Sequence, residues 1–158
     1  MMDEQIQILD KKDYFSLIKV WEASVRETHD FLEEEEILFY KKVILEYYFD
    51  NVKLYGIKES VSEIKAFIGL SDNQVEMLFV HPNYHRQSFG TQLIHFALNR
   101  MHVYNVDVNE ENKKALKFYF HLGYKIVGRD DVDAEGKNHP ILHLRYYDNT
   151  NDTQWHLI

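Results

Sequence analysis

Between Glu76 and Leu98 the chain reads EMLFVHPNYHRQSFGTQLIHFAL, an apolar run followed by a polar loop and then an amphipathic stretch. His85, Arg86, Gln87 and Ser88 give that loop cationic and donor groups suited to an anion. Glu76 to Val80 stops at Pro82, and a short apolar run bounded in this way reads as a mostly buried strand. Gly90 is expected to open a helix. In it Ile94, Ala97, Leu98 and Met101 recur at i, i+3, i+4 and i+7, which leaves Gln92, His95, Asn99 and Arg100 in water. The loop from His85 to Gly90 then lies against a helix N-terminus. Unpaired amides and the positive end of the helix dipole, joined by Arg86 and His85, favour a phosphate or pyrophosphate there. Any strand-to-helix turn carries a polar loop, so on these residues alone the segment reads equally as an ordinary turn.

A second segment bears on that choice. Just after the strand-like VYNVDVN, the residues Asn112, Ala115, Phe118, Tyr119, Gly123 and Tyr124 stand in the order N-x-x-A-x-x-F-Y-x-x-x-G-Y. This pattern resembles a signature of the GNAT family of N-acetyltransferases, N-x-x-A-x-x-F-Y-x-x-x-G-F, and the upstream loop is similar to that family's R/Q-x-x-G-x-G/A loop. VWEASVRETHDFL near the N-terminus and the long segment from Asn105 to Tyr146 are similar to the bacterial YjaB-type subgroup. The resemblance runs from Ile6 to Tyr147. It implies acetyl-CoA as co-substrate and a single α/β (α+β) domain over residues 1–147. That domain would hold a mixed, mostly antiparallel sheet of about seven strands flanked by four helices.

The resemblance also assigns roles. His85, Arg86, Gln87, Ser88, Phe89, Gly90 and Thr91 would hold the pyrophosphate of acetyl-CoA, and Asn109 and Asn112 would meet its pantetheine arm beside Phe118. Backbone amides at Leu78, Phe79 and Val80 would stabilise the tetrahedral intermediate. An amine attacks a thioester only when neutral, yet a lysine amine has a pKa of ~10.4, so a base must remove a proton. Glu76 and Asp107 are the two candidates, and either also reads as a solvent-facing strand residue. Tyr119 can protonate the departing thiolate. Set on an apolar face with Ala115, Phe118 and Leu122, it also reads as a core tyrosine with a bonded hydroxyl, and Asn112 as a helix cap.

Two departures stand out. Ser88 occupies the place of the loop's first Gly, and His85 that of its opening Arg or Gln. Gly suits such a place because a backbone without Cβ admits close approach and positive φ. A catalytically weak acyl-CoA-binding regulator of the same fold is therefore the alternative to an enzyme, and a structural module that has lost the cofactor is a third reading.

For the acceptor, the subgroup resemblance implies a protein lysine or N-terminal amine, with a small amine such as a polyamine or amino sugar as the alternative. His29, Asp30 and Phe31, in the loop joining the first two helices, are candidates for amine selection, since relatives cover the acceptor side there; a polar loop with a helix cap is the plainer reading. His143, Tyr146 and Tyr147 are further candidates for the cleft, though their alternation suits any half-buried strand. His81 and His85 stand four apart among nine histidines, but Pro82 keeps them off a common helix, and no metal is expected.

The remaining elements must position these groups. An N-terminal strand from Gln5 to Leu9 is followed by a helix carrying Tyr14, Leu17, Ile18, Trp21 and Val25 on one face, with Asp13 as N-cap. Glu33 to Glu36 opens a second helix. Val52 to Ile57, Ile64 to Leu70 and Val75 to Val80 form a meander, with turns around Lys58 to Ser62 and Ser71 to Asn73. The full order is β-α-α-β-β-β-α-β-α-β-β, with Gly136 turning between the last two strands and residues 148–158 as a polar tail.

Composition bounds the rest. At 158 residues the chain fits one compact domain. Without cysteine there is no disulfide and no thiolate nucleophile. A formal charge of −8 argues against broad nucleic-acid binding and favours a cationic amine partner. With no apolar run long enough to span a bilayer and no signal-peptide pattern at Met1, a cytoplasmic protein, free of the membrane, is expected. Monomer and homodimer are both compatible, the apolar end Trp155 to Ile158 being one surface for a neighbour.

Overall fold

The computed structural model describes residues 5–148. Seven strands and four α-helices follow in the order expected from the sequence. The strands are β1 (Ile6–Leu9), β2 (Lys53–Ser60), β3 (Glu63–Leu70), β4 (Gln74–Val80), β5 (Asn105–Asn109), β6 (Tyr124–Asp130) and β7 (Ile141–Tyr146). The helices are α1 (Tyr14–Thr28), α2 (Glu34–Val43), α3 (Phe89–Asn99) and α4 (Lys113–Leu122). The strands build a seven-stranded sheet, and the chain divides into two compact units at Val103 and Tyr104.

In the first unit β2, β3 and β4 form an antiparallel meander, and β1 pairs antiparallel with β2 after the intervening helices. Its core gathers Leu17, Ile18, Trp21 and Val25 of α1 with Leu54, Ile64, Phe67 and Met77 of the strands. The expected apolar face of α1 is thus the buried one, and Tyr14 packs on Phe49 with ring centroids 5.0 Å apart. Asp13 stands at the N-cap position but does not cap the helix. Its buried carboxylate instead accepts from Asp10 N–H at 3.0 Å and pairs with Lys58 Nζ at 3.0 Å, because a buried charge needs a counter-ion more than a helix needs a cap.

The acidic opening of α2 behaves as its charge requires. Glu33 is the N-cap and Glu36 reaches back to its amide, a reciprocal capping box. The helical path then continues past Val43 as a π-helical segment, Ile44–Tyr48, and a 3₁₀ turn, Phe49–Asn51. Among the described residues no helix is long and apolar enough to cross a membrane. The expected tail, apart from Asp148, lies outside the described residues, as does Trp155 to Ile158.

The second unit orders its strands β5-β7-β6, all antiparallel. Val106, Val108, Leu142 and Leu144 are buried on one face together with Leu116 and Tyr119 of α4. Gly123 ends α4 with φ of 113°, a left-handed conformation that favours glycine. Strand alternation turns Asn105, Asp107, Asn109, His143 and Arg145 to the face away from α4.

Candidate active site

In the first unit, β4 delivers the chain to the expected anion loop. A 3₁₀ turn over Pro82–Tyr84 follows, with His81 Nδ1 accepting from Asn83 N–H at 3.1 Å. Buried Phe89 and half-buried Tyr84 anchor the loop, Lys65 Nζ lying 5.1 Å and 5.5 Å from their ring centroids. His85, Arg86, Gln87 and Ser88 are left exposed. Arg86 and Ser88 both adopt positive φ, 70° and 64°. The place where the resemblance puts a glycine is therefore the place where the backbone is left-handed, and Ser88 pays about 1 kcal/mol for its Cβ. Nothing in the type of residue 86 announces the second left-handed position.

Helix α3 starts one residue before the expected Gly90, at Phe89. Ser88 is its N-cap but makes no side-chain capping bond, so the amides of Phe89, Gly90 and Thr91 receive nothing from that side chain. Phe89, Leu93, Ile94, Ala97 and Leu98 are buried, while His95, Asn99 and Arg100 are exposed as expected. Gln92 differs from its expected wet position. It is half-buried, and its Oε1 is buried without a hydrogen-bond partner.

The three amides expected on β4 divide into two kinds. His81 N–H donates to Lys65 O at 2.8 Å, and antiparallel alternation then turns the Phe79 amide toward β3 as well. Leu78 and Val80 point their N–H groups away from β3. Glu76 is exposed on the same strand, beside an irregularity opposite Gly69 and Leu70, with Oε1 accepting from Gln74 at 3.3 Å. Farther along the first unit, Thr28 Oγ1 donates to Ser24 O and lies 2.7 Å from His29 Nδ1. The hydroxyl hydrogen being spent on Ser24, the imidazole donates through Nδ1. Burial, partly opposed by the Asp30 carboxylate, lowers the His29 pKa to about 4, so the ring is neutral near pH 7. Phe31 packs against it at 5.1 Å, and Asp30 is exposed.

In the second unit the asparagines organise the turn into α4. Asn109 Oδ1 accepts from Glu111 N–H at 3.2 Å, and Asn112 Oδ1 accepts from Ala115 N–H at 3.1 Å. The capping role of Asn112 is thus present. Tyr119 is buried and meets Phe118 and Tyr124 edge-on at 5.0 Å and 5.1 Å, with Tyr146 next in the row, 5.6 Å from Tyr124. Burial, then the neighbouring Tyr124, pushes the Tyr119 phenol well above its usual range. The phenol therefore keeps its proton near pH 7.

Asp107 is not a lone carboxylate. His143, directly opposite it across β5 and β7, places Nδ1 2.6 Å from Asp107 Oδ1, while its Nε2 lies 2.9 Å from Asp130 Oδ2. The Asp107 contact, opposed by burial and reinforced by Asp130, raises the His143 pKa above its ordinary value. Asp130 had no signal in the sequence, being separated from both partners and brought in only by strand register.

Both signature segments thus lie where the fold gives their residues local structural work: a left-handed loop entering α3 and an asparagine-capped α4 carrying a buried tyrosine. A family model described as "Acetyltransferase (GNAT) domain" matches residues 28–141. The peptidyl-lysine N-acetyltransferase YjaB of Salmonella typhimurium (strain LT2) is 32% identical over 130 residues, 82% of this chain and 89% of that protein. Its namesake from Escherichia coli (strain K12) is 31% identical over 130 residues, 82% and 88% of the two chains. The solution structure of apo-form YjaB from Escherichia coli covers 89% of this chain and 95% of its own, with a TM-score of 0.81 at 29% identity. The PaiA N-acetyltransferase from Thermoplasma acidophilum, in complex with coenzyme A, shares the fold at TM-score 0.65 and 21% identity, over 89% and 99% of the chains. With the family match running from the end of α1 to the start of β7 and so taking in both signatures, the chain belongs to the GNAT family of acetyl-CoA-dependent acetyltransferases.

Proposed function

We propose that the protein transfers acetyl from acetyl-CoA to lysine side-chain amines of proteins or peptides, by direct attack of the neutral amine with no covalent enzyme intermediate. The observation that carries the cofactor half of this reading is the pair of left-handed residues, Arg86 and Ser88, leading into a first turn of α3 that Ser88 does not cap. Amides there, with the charge of Arg86, suit a pyrophosphate. The acceptor half is supported by the peptidyl-lysine activity named for the curated relatives.

Each step has a group matched to it. Leu78 and Val80, their amides aimed away from β3, are the donors for the tetrahedral oxyanion, a role typically worth about 3 kcal/mol per donor. Asp107 receives the proton of the acceptor ammonium. It is favoured over Glu76 because it is coupled to a second titratable group, His143. As the thioester collapses, Tyr119 donates its phenolic proton toward the leaving sulfur. His29, Asp30 and Phe31 flank the acceptor, the neutral imidazole presenting no charge to repel an ammonium.

Calorimetry of acetyl-CoA binding, paired with CoA release on a lysine peptide, tests this. Wild type should bind and release CoA only with the peptide, whereas Gly90→Glu, which sets a carboxylate at the phosphate site, should bind at least ~10-fold more weakly. Binding without peptide- or amine-dependent release would favour the acyl-CoA-binding regulator, the reading that Ser88 and His85 motivate. Absence of binding in wild type would overturn both.

A further inference from the structure

The second unit carries a histidine between two carboxylates on the face of its sheet away from α4. Three strands contribute one residue each: Asp107 from β5, His143 from β7 and Asp130 from β6. Each ring nitrogen faces a carboxylate oxygen, at 2.6 Å and 2.9 Å. A neutral imidazole has one N–H, so both contacts are hydrogen bonds only when the ring carries two. Such distances match the proton-loaded state of the cluster, with one positive charge between two negative ones.

The surroundings are shaped to this ring. Gly128 is its partner across β6 and β7, and a Cβ at that glycine would come within 3.2 Å of His143 Cδ2. The neighbouring cations are engaged elsewhere: Arg145, next on the same face of β7, donates to Asn105 Oδ1, and Arg129 of β6 is shared by Glu110 and Asp131. An ordinary surface ion pair adds little to stability and asks for no such accommodation. The cluster also stays in reach of solvent, with side-chain exposures of 36% at Asp107, 33% at His143 and 67% at Asp130.

Resting on the proposed acetyl transfer, we propose that Asp107, His143 and Asp130 act as one proton-accepting assembly, in which Asp107 meets the acceptor ammonium and His143, oriented by Asp130, stores the proton. In the accepting state Nε2–H is donated to Asp130 and Nδ1 is unprotonated beside Asp107. An N–H bond of the ammonium breaks and its electron pair stays on the amine nitrogen. The proton passes by way of Asp107 to Nδ1, taking the cluster from two net negative charges to one and restoring the arrangement seen. The neutral amine attacks the thioester, and the stored proton later returns to water. His143 and Asp130 are positioning residues in this scheme; Asp107 is the group that touches substrate.

Measuring kcat/KM against pH for wild type, His143→Gln and Asp130→Asn, with acetyl-CoA and a lysine peptide, tests the assembly. Wild type should gain activity as pH rises through the histidine's titration. His143→Gln should lose about 100-fold in kcat/KM and lose that limb, while Asp130→Asn should keep the limb and move it to lower pH by about one unit. NMR titration of the His143 ring nitrogens in wild type and Asp130→Asn gives the same comparison without catalysis, and the folded spectra guard against misfolding. An active wild type whose His143→Gln variant keeps both rate and limb overturns this inference alone, as does a His143 midpoint unchanged by Asp130→Asn. A wild type that binds acetyl-CoA yet acetylates no amine overturns the proposed function and the assembly with it.

Discussion

Asn112 Oδ1 accepts a hydrogen bond from Ala115 N–H at 3.1 Å, so the first two residues of the downstream signature hold each other. The bond satisfies one of the free amides at the start of α4, the helix that three and four residues later carries Phe118 and Tyr119. Spacing in the motif is thus a capping distance before it is anything else. Asn112→Ala should cost about 1 kcal/mol of stability, measured by urea denaturation, while Asn112→Asp or Asn112→Ser should recover most of it.

The left-handed backbone at Ser88 separates strain from cofactor approach. Ser88→Gly removes about 1 kcal/mol of local strain but adds freedom to the unfolded chain of nearly the same size. Thermal stability should therefore stay within about 0.5 kcal/mol of wild type. Removing the Cβ opens the approach to the loop amides, so acetyl-CoA should bind the variant as tightly as wild type or more tightly. Weaker binding, read by calorimetry, would mean that the serine hydroxyl itself donates to the ligand.

Much of this architecture could be read from the chain because periodicity is local. The α1 stripe, the meander and the helix after β5 each declare themselves within a dozen residues, and Asn112 announces α4 by its cap. What escaped reading depends on distant partners or on special backbone. Asp13 looks like a cap until Lys58, on β2, claims its carboxylate. Ile44–Tyr48 has the composition of any helix end, and only the structure shows the π-helical path. The Asp107, His143 and Asp130 cluster needs the β5–β7 register together with the irregularity between Ile126 and Gly128 on β6. No spacing along the chain encodes it.

The Asp13–Lys58 pair predicts an acid-sensitive core. Burial opposes the Asp13 charge, but the Asp10 amide and the Lys58 ammonium outweigh it and hold the carboxyl below its ordinary value. A carboxyl depressed on folding stabilises the protein above its unfolded pKa of ~3.9 and loses that contribution as pH falls through the folded value. Asp13→Asn leaves Lys58 without its counter-ion and should cost about 3 kcal/mol at pH 7. In urea denaturation, the gap between wild type and variant should narrow steadily below pH ~4. A gap that is constant with pH would show that packing, not charge, is what the substitution removes.

Tyr119 offers the sharpest separation of chemistry from structure. Its ring packs between Phe118 and Tyr124, and its phenol is held protonated by burial. Tyr119→Phe keeps the ring and its edge-on contacts, so stability should change by less than about 1 kcal/mol. If the phenol protonates the leaving thiolate, kcat should fall about 100-fold or more while acetyl-CoA affinity holds. A pre-activated donor whose free thiol has a lower pKa needs less help in leaving, so an acyl donor of that kind should recover part of the lost rate in the variant. A Tyr119→Phe protein with unchanged kcat for both donors would return the hydroxyl to the core and leave proton delivery to solvent.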